Sequence, residues 1–333
     1  MPIRDLVAAL TGQGNDYAVK PWAAHVLSPG KLHCAPKRSC EDRLLFGQER
    51  FPILGQINGN ERLTVIDRRW QRVALDHKGE RHMQRLENRV AIITGGAQGI
   101  GAAYARGFAA EGAKVVIADV APADALVDEI TAAGGTAIAT RTDVTDEAAC
   151  AAMATQTIAA FGRIDILVNN AALWVHVGQK PIMEISKAEW DKVLDVNING
   201  MFLCTKAVVP QMTTQSYGKI INISSGRALK GFTNLLHYDT SKGAVISFTR
   251  SVARELGDAG IRANTIAPGG IMTDNVIEQD ELRGMIAMGT ATRAIKREQV
   301  PEDVVGACIF LASEESDFIT GQVLAVDGGS AMN

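Results

Sequence analysis

The chain has 333 residues, of which 47% are hydrophobic and 21% charged, a composition that excludes a disordered or fibrous protein. Lys and Arg number 34 against 37 Asp and Glu, and the resulting charge of -3 gives no global argument for nucleic acid or an anionic membrane. No run approaches the ~18 unbroken apolar residues of a membrane span. The first residues do not read as a signal peptide, and five scattered cysteines read as reduced, cytoplasmic usage.

Residues 1–82 differ from the rest. They carry 13 Lys+Arg and 9 Asp+Glu, leaving 21 and 28 for residues 83–333, so the balances are +4 and -7. Four of six His and five of ten Pro also fall there. No period of 2 or 3.6 is sustained, and the segment reads as a poorly or weakly structured extension without its own core. His25, His33, Cys34 and Cys40 fit no zinc spacing, so no metal is expected. Arg68-Arg69-Trp70-Gln71-Arg72 reads as a solvated basic patch, with nucleic-acid contact as the other reading.

From Arg89 the text becomes regular. Short apolar runs at 90–94, 114–119, 136–140, 164–168, 219–223, 261–266 and 322–326 read as buried strands. Helical stretches lie between them: one ending near Glu111, then 124–133, 147–161, 187–195, 201–212, 238–256 and 301–312. Seven strands alternating with helices require crossovers, and so an α/β doubly wound, seven-stranded parallel sheet flanked by helices, in a single Rossmann-like domain.

Between the first strand and helix stands Thr94-Gly-Gly-Ala-Gln-Gly-Ile-Gly101. Gly95 permits a tight reversal, Gly99 lets backbone approach a pyrophosphate, and Gly101 lets the helix pack closely. The helix start, with Gln98 and Ile100, offers free N–H groups to phosphates. Asp119 closes the second strand, 18 residues after Gly101, where a carboxylate accepts from ribose hydroxyls and repels a 2′-phosphate. Val120 and Gln98 supply no cation for such a phosphate, which favours NAD over NADP. Tyr238 and Lys242, four apart on a helix, share a face, and a cation there is expected to lower the phenol from its usual value of about 10.

The ordered set Thr94–Gly101, Asp143-Val144, Asn169-Asn170-Ala171, Asn197, Ser224-Ser225, Tyr238-Asp-Thr-Ser-Lys242, Pro268-Gly269 and Val326-Asp-Gly-Gly329 resembles the short-chain dehydrogenase/reductase family, in its compact form, from about residue 88 to 329. The resemblance implies the following roles. Tyr238 exchanges a proton with the substrate oxygen. Lys242 tunes that Tyr and holds the nicotinamide ribose. Ser225, 13 residues before Tyr238, hydrogen-bonds the substrate oxygen, and Asn197 helps to hold a relay water. Asp143 and Val144 contact adenine and Asn170 the adenosine side, while Ile271 and Thr273 contact the carboxamide. Two departures stand out: Ala172 replaces the family's usual Gly, and Asp239-Thr240-Ser241 replaces smaller residues. Both are expected to be tolerated.

Substrate choice is expected from 173–177, from 226–229 with the residues before Tyr238, and from 272–288. Trp174, Leu235 and Met272 suggest an apolar pocket. Trp174 fits either a substrate wall or a packing anchor. His176 reads as a loop residue. Arg227 reads as surface-exposed, an acidic substrate group being its other reading. The implied function is NAD-dependent interconversion of a secondary alcohol and a ketone, by likeness to 1-phenylethanol-type dehydrogenases. A 3-oxoacyl thioester reductase is the alternative, and an NAD-binding sensor or nucleic-acid-binding module the non-enzymatic one. Relatives suggest a homotetramer. Met83 reads as a start, dividing a 1–82 extension from an 83–333 catalytic domain.

Overall fold

The computed structural model describes residues 84–175 and 177–332, together with the backbone of six short strands between 45 and 82. The chain divides into two units, 1–83 and 84–333.

In the first unit, β1 (Leu45–Phe46) pairs antiparallel with β2 (Glu49–Arg50). β3 (Leu54–Asn58), β4 (Arg62–Asp67), β5 (Trp70–Leu75) and β6 (Arg81–His82) form an antiparallel sheet in sequential order. The sequence reading assigned no strands here. A signal was present: Asn58-Gly59 is a strong hairpin dipeptide, and Leu63 and Val65 alternate with Arg62 and Thr64. These runs lack the continuous apolar stretches that mark the later strands: β3 reads Leu-Gly-Gln-Ile-Asn and β5 Trp-Gln-Arg-Val-Ala-Leu. His25, His33, Cys34 and Cys40 lie outside the described residues, as do Arg68 and Arg69.

The second unit holds seven parallel strands: β7 (Val90–Thr94), β8 (Lys114–Asp119), β9 (Thr136–Arg141), β10 (Ile166–Asn169), β11 (Gly218–Ile223), β12 (Ile261–Pro268) and β13 (Val323–Val326). Their order is β13-β12-β11-β10-β7-β8-β9. Every strand expected from apolar runs is present, within a few residues at each end. Successive residues alternate faces. Ile93, Ile117, Val168, Ile221 and Ile266 pack on one side against Tyr104 and Phe108. Ile92, Val116, Leu167 and Ile220 pack on the other against Met153, Val208 and Met212. Burial on both faces is why the strands read as continuous apolar runs.

The helices are α1 (Gly99–Ala110), α2 (Asp124–Ala132), α3 (Glu147–Phe161), α4 (Lys187–Leu194), α5 (Gly200–Gln215), α6 (Gly226–Lys230), α7 (Leu236–Leu256), α8 (Asp274–Ile277), α9 (Asp280–Thr292) and α10 (Glu302–Ala312). Asp146 caps α3, accepting from Ala148 N at 2.8 Å, and Gly162 ends it at φ +76°. A capping box of Ser186 and Glu189 starts α4. Helices α6, α8 and α9 were not expected; the first two span at most five residues, too short for a visible period. The predicted helix ending at Asp195 continues through a π-helical turn, Asp195–Asn199, into α5.

The chain runs outward from β7 to β9, then returns to β10 on β7's other side. That reversal is a topological switch point, and the crevice beyond the strands' carboxyl ends is where ligands of such sheets bind. Among the described residues no helix is long and apolar enough to cross a membrane.

Candidate active site

A cleft of about 610 Å³ opens at this switch point. It is lined by Gly95, Gln98, Gly99, Ile100, Gly101, Asp119, Asp143, Val144, Asn170, Trp174, Ser225, Tyr238, Lys242, Ile271 and Thr273. These are all the expected cofactor residues, together with Ser225 and Trp174 of the others.

The glycine turn has a physical reason at each position. Gly95 sits at φ +61°, and a Cβ there would lie 2.8 Å from Ala171 Cα. Gly99 sits at φ +53° with nothing nearer than the Thr273 side chain at 3.4 Å, so its backbone faces the open cleft. A Cβ on Gly101 would lie 2.1 Å from Gly95 O; the helix start packs against the turn itself. Gln98 makes no side-chain cap to α1, which leaves the helix's first N–H groups to a ligand.

Two side chains hold that turn. Asn170 Nδ2 donates to Thr94 O and Gly95 O, each at 3.0 Å. Thr94 Oγ1 accepts from Asn170 N and Ala171 N, each at 3.1 Å. Asn170 therefore positions the cradle, and its amide is occupied there. Asp119 accepts from Ala97 N at 2.9 Å and Ala121 N at 3.0 Å, so its carboxylate is fixed at the cleft's edge beside exposed Val120. Asp143 accepts from Thr145 N and Oγ1, which hold its carboxyl below the usual range.

At the other end Ser225 caps α6, and two turns of α7 carry Tyr238 and Lys242, all buried. The phenol is pushed up to about 12, first by burial and against the opposing hydrogen bond to Ser225. This corrects the expected depression by Lys242. The ammonium lies 5.6 Å from the Tyr238 ring centroid and donates to Ile223 O at 2.8 Å, and burial lowers its own pKa to about 8.

Asn197 occupies the π-helical turn and is buried. It donates to Ser241 Oγ at 3.0 Å and to Leu173 O at 3.3 Å, and accepts from Leu173 N at 2.7 Å. It lines not the cleft but a cavity of about 10 Å³ behind it, shared with Asn169 and Lys242. That volume is close to what one water needs, and buried Asn169 Oδ1 has no protein partner.

Trp174 stacks on Tyr238, with centroids 5.1 Å apart, and packs on the cluster of Val276, Leu282 and Ile286; it is both wall and anchor. Leu235 and Met272 are corrections. Leu235 is 1% exposed and precedes α7 as packing, and Met272 joins the Ile286 cluster; neither lines the cleft. Arg227 is another, because it is not surface-exposed. Its Nε and Nη2 reach Asp239 at 2.7 and 3.0 Å, with both side chains 12% exposed, and it lines the cleft. The departure at Asp239 is thus the partner of Arg227. Ala172 lines the cleft as an exposed residue. Lys230, Phe232, Met285 and Asp327 also line it. Asp327 was visible within the Val326–Gly329 motif, and its carboxylate accepts from the N–H groups of Gly329, Ser330 and Ala331. His176 lies outside the described residues.

Lys242 gives a signed pH prediction. Its ordinary value is 10.5, and a folded value of about 8 makes its charge a burden of order 3 kcal/mol wherever both states are protonated. Lys242→Met should therefore raise stability by up to that amount at pH 7. The gain should shrink between pH 8 and 10.5, where the unfolded chain alone holds the proton. Urea denaturation of both proteins across that range measures it.

Fold and site together define a hydride-transfer oxidoreductase of the dinucleotide-binding α/β class. A family model described as enoyl-(acyl carrier protein) reductase matches residues 95–331. The chain is 41% identical over 252 residues to (2S)-[(R)-hydroxy(phenyl)methyl]succinyl-CoA dehydrogenase subunit BbsD of Thauera aromatica, covering 74% of this chain and 98% of that one. It is 38% identical to a 3-oxoacyl-[acyl-carrier-protein] reductase of Synechocystis over 75% and 100% of the two chains. A solved structure described as an NAD(P)-dependent gluconate 5-dehydrogenase from Beutenbergia cavernae, with NADP bound at low occupancy, superposes with a TM-score of 0.68 at 36% identity, covering 75% and 99%. The chain belongs to the short-chain dehydrogenase/reductase family, whose members bind NAD(P) and act on small molecules.

Proposed function

We propose that this protein interconverts a secondary alcohol and a ketone with NAD, using Tyr238 as the acid/base. The observation that carries the reading is the convergence of Ser225, Tyr238 and Lys242 on one cleft with the glycine cradle at its far end. The turn fits a dinucleotide, since Gly99 has nothing nearer than 3.4 Å to its Cβ position, which leaves its backbone open to a ligand, and α1 begins uncapped. Gly95–Gly101 would hold the pyrophosphate, Asp119 the adenosine ribose, Asp143 and Val144 the adenine, and Ile271 and Thr273 the carboxamide. Bound NAD supplies or accepts a hydride at the carbinol carbon.

The chain's own residues do the rest. Ser225 Oγ orients the substrate oxygen. Tyr238 Oη gives or takes that oxygen's proton. Burial keeps the phenol protonated at neutral pH, ready to donate to a ketone; in oxidation, the Lys242 ammonium must offset the developing phenolate. Asn197, Asn169 and Lys242 surround room for one water through which the proton passes inward. Trp174 and Ile286 exclude bulk water from the substrate side.

The anchored Asp119 carboxylate, with no adjoining cation, supports NAD over NADP. Like charges placed together cost several kcal/mol, so kcat/KM should favour NAD by at least about tenfold. Asp119→Ser combined with Val120→Arg should erase that preference. An assay of both cofactors against a panel of secondary alcohols and 3-hydroxyacyl esters tests the whole reading; equal use of NADPH by the unaltered protein overturns the NAD assignment. The Synechocystis relative favours a second reading, reduction of 3-oxoacyl thioesters, which the same panel separates. The retained Ser225, Tyr238 and Lys242 argue against a sensor. A homotetramer is expected from the family, and sedimentation of the full chain tests it.

A further inference from the structure

We propose that the substrate carries a carboxylate, bound at the outer end of the cleft by Lys230 and Arg227. The inference rests on the alcohol/ketone reading above and narrows its substrate class.

The two cations share one support. Arg227 Cζ lies 4.6 Å and Lys230 Nζ 5.4 Å from the centroid of the Phe232 ring, and all three residues line the cleft. Arg227 is tied to the reacting groups, because its backbone N–H donates to Ser225 Oγ at 3.2 Å and its charge is felt by Tyr238. Asp239 fixes its orientation through Nε and Nη2. Nη2 also donates to Thr233 O at 3.3 Å, which leaves Nη1 with only the Met285 sulfur at 3.7 Å. A thioether is a weak acceptor, so this donor retains its capacity for an anion.

Lys230 has no carboxylate partner among the described residues, and its ammonium donates to Ser330 Oγ at 3.0 Å. The acids nearby are already engaged: Asp239 by the guanidinium, and Asp327 by the three backbone N–H groups beyond it. Arg293, which also lines the cleft, donates to Ile295 O and Arg297 O and is occupied there. Arg227 and Lys230 thus line the cleft with one ion pair between them and Asp239, made by Arg227 alone, while the carboxylate of Asp327 is taken up by backbone N–H groups. Trp174 and Ile286, which also line the cleft, are apolar. The cleft accordingly fits a molecule with an apolar body, its carbinol at Ser225 and Tyr238, and an anion at the mouth.

The test uses the full chain, with NAD and two ring-substituted probes: 4-(1-hydroxyethyl)benzoate and its neutral methyl ester. A charge-assisted contact predicts a kcat/KM ratio of acid to ester of at least about tenfold, falling as ionic strength rises. In Lys230→Gln the ratio should drop to about one. A ratio at or below one in the unaltered protein, a ratio unmoved by Lys230→Gln, or preference for the coenzyme A thioester of the same acid overturns the proposal while leaving the oxidoreductase reading intact. If neither probe is oxidised, the alcohol reading fails at that substrate and binding decides. Benzoate should then raise the unfolding temperature more than benzamide, in a Lys230-dependent way, and equal protection by the two overturns the carboxylate site.

Discussion

Replacing Tyr238 by Phe should reduce kcat by between about 10² and 10⁴ in both directions, the range that a positioned acid/base contributes. The substitution removes one oxygen and keeps the ring that stacks on Trp174 at 5.1 Å, so the wall of the cleft stays in place. Burial of the phenol has already raised its pKa to about 12, so the loss of the hydroxyl forfeits only the hydrogen bond to Ser225. Stability should therefore move by about 1 kcal/mol or less. NAD affinity should change little, because the cradle at Gly95–Gly101 lies at the other end. Steady-state kinetics with calorimetric NAD binding separate the effects. A variant that keeps kcat within a few-fold would remove Tyr238 from the chemistry.

Gly101→Ala should be the most damaging single methyl group in the site. Its Cβ would stand 2.1 Å from Gly95 O and 2.8 Å from both Asn170 Nδ2 and Gly96 Cα. Two of those three neighbours are backbone, and the third is the amide that fixes the turn, so none yields without moving the cradle. Overpacking of this kind costs typically 1–3 kcal/mol, and displaced N–H groups should weaken NAD binding by at least about tenfold. Gly306→Ala is the matched control. It lies in the exposed face of α10 with nothing within 4 Å, so it should stabilise the protein by up to about 1 kcal/mol. Thermal unfolding of the two variants, with and without NAD, gives the comparison.

Most of the second unit was legible because its strands are buried on both faces and its turn chemistry is local. Val90–Thr94 and Lys114–Asp119 needed no tertiary information, and neither did the Gly95, Gly99 and Gly101 spacing. What escaped the sequence depends on non-local environment. The direction of the Tyr238 shift was misread because the helical spacing of Lys242 says nothing of how deeply both groups are buried. Arg227 was misplaced because its partner Asp239 stands 12 residues away, across the turn between α6 and α7. Leu235 and Met272 were assigned from hydrophobicity, which cannot distinguish a cleft wall from the packing behind it. Strands β3–β5 are as long as β7 and β8, but polar residues and Gly55 interrupt their apolar positions, so they show no continuous buried run.

The latch between Asn170 and the glycine turn has a consequence for how the protein acquires its competence. The turn is encoded within eight residues, yet the amide that holds it comes from 75 and 76 positions downstream. A chain emerging from the ribosome displays the whole phosphate motif well before β10 exists. Until that strand has paired with β7, the loop lacks its retaining donor, and contacts this distant in sequence form slowly. A complete cradle therefore waits on the pairing of β10 with β7, and a dinucleotide that bound the latched form alone would draw the folding equilibrium toward it.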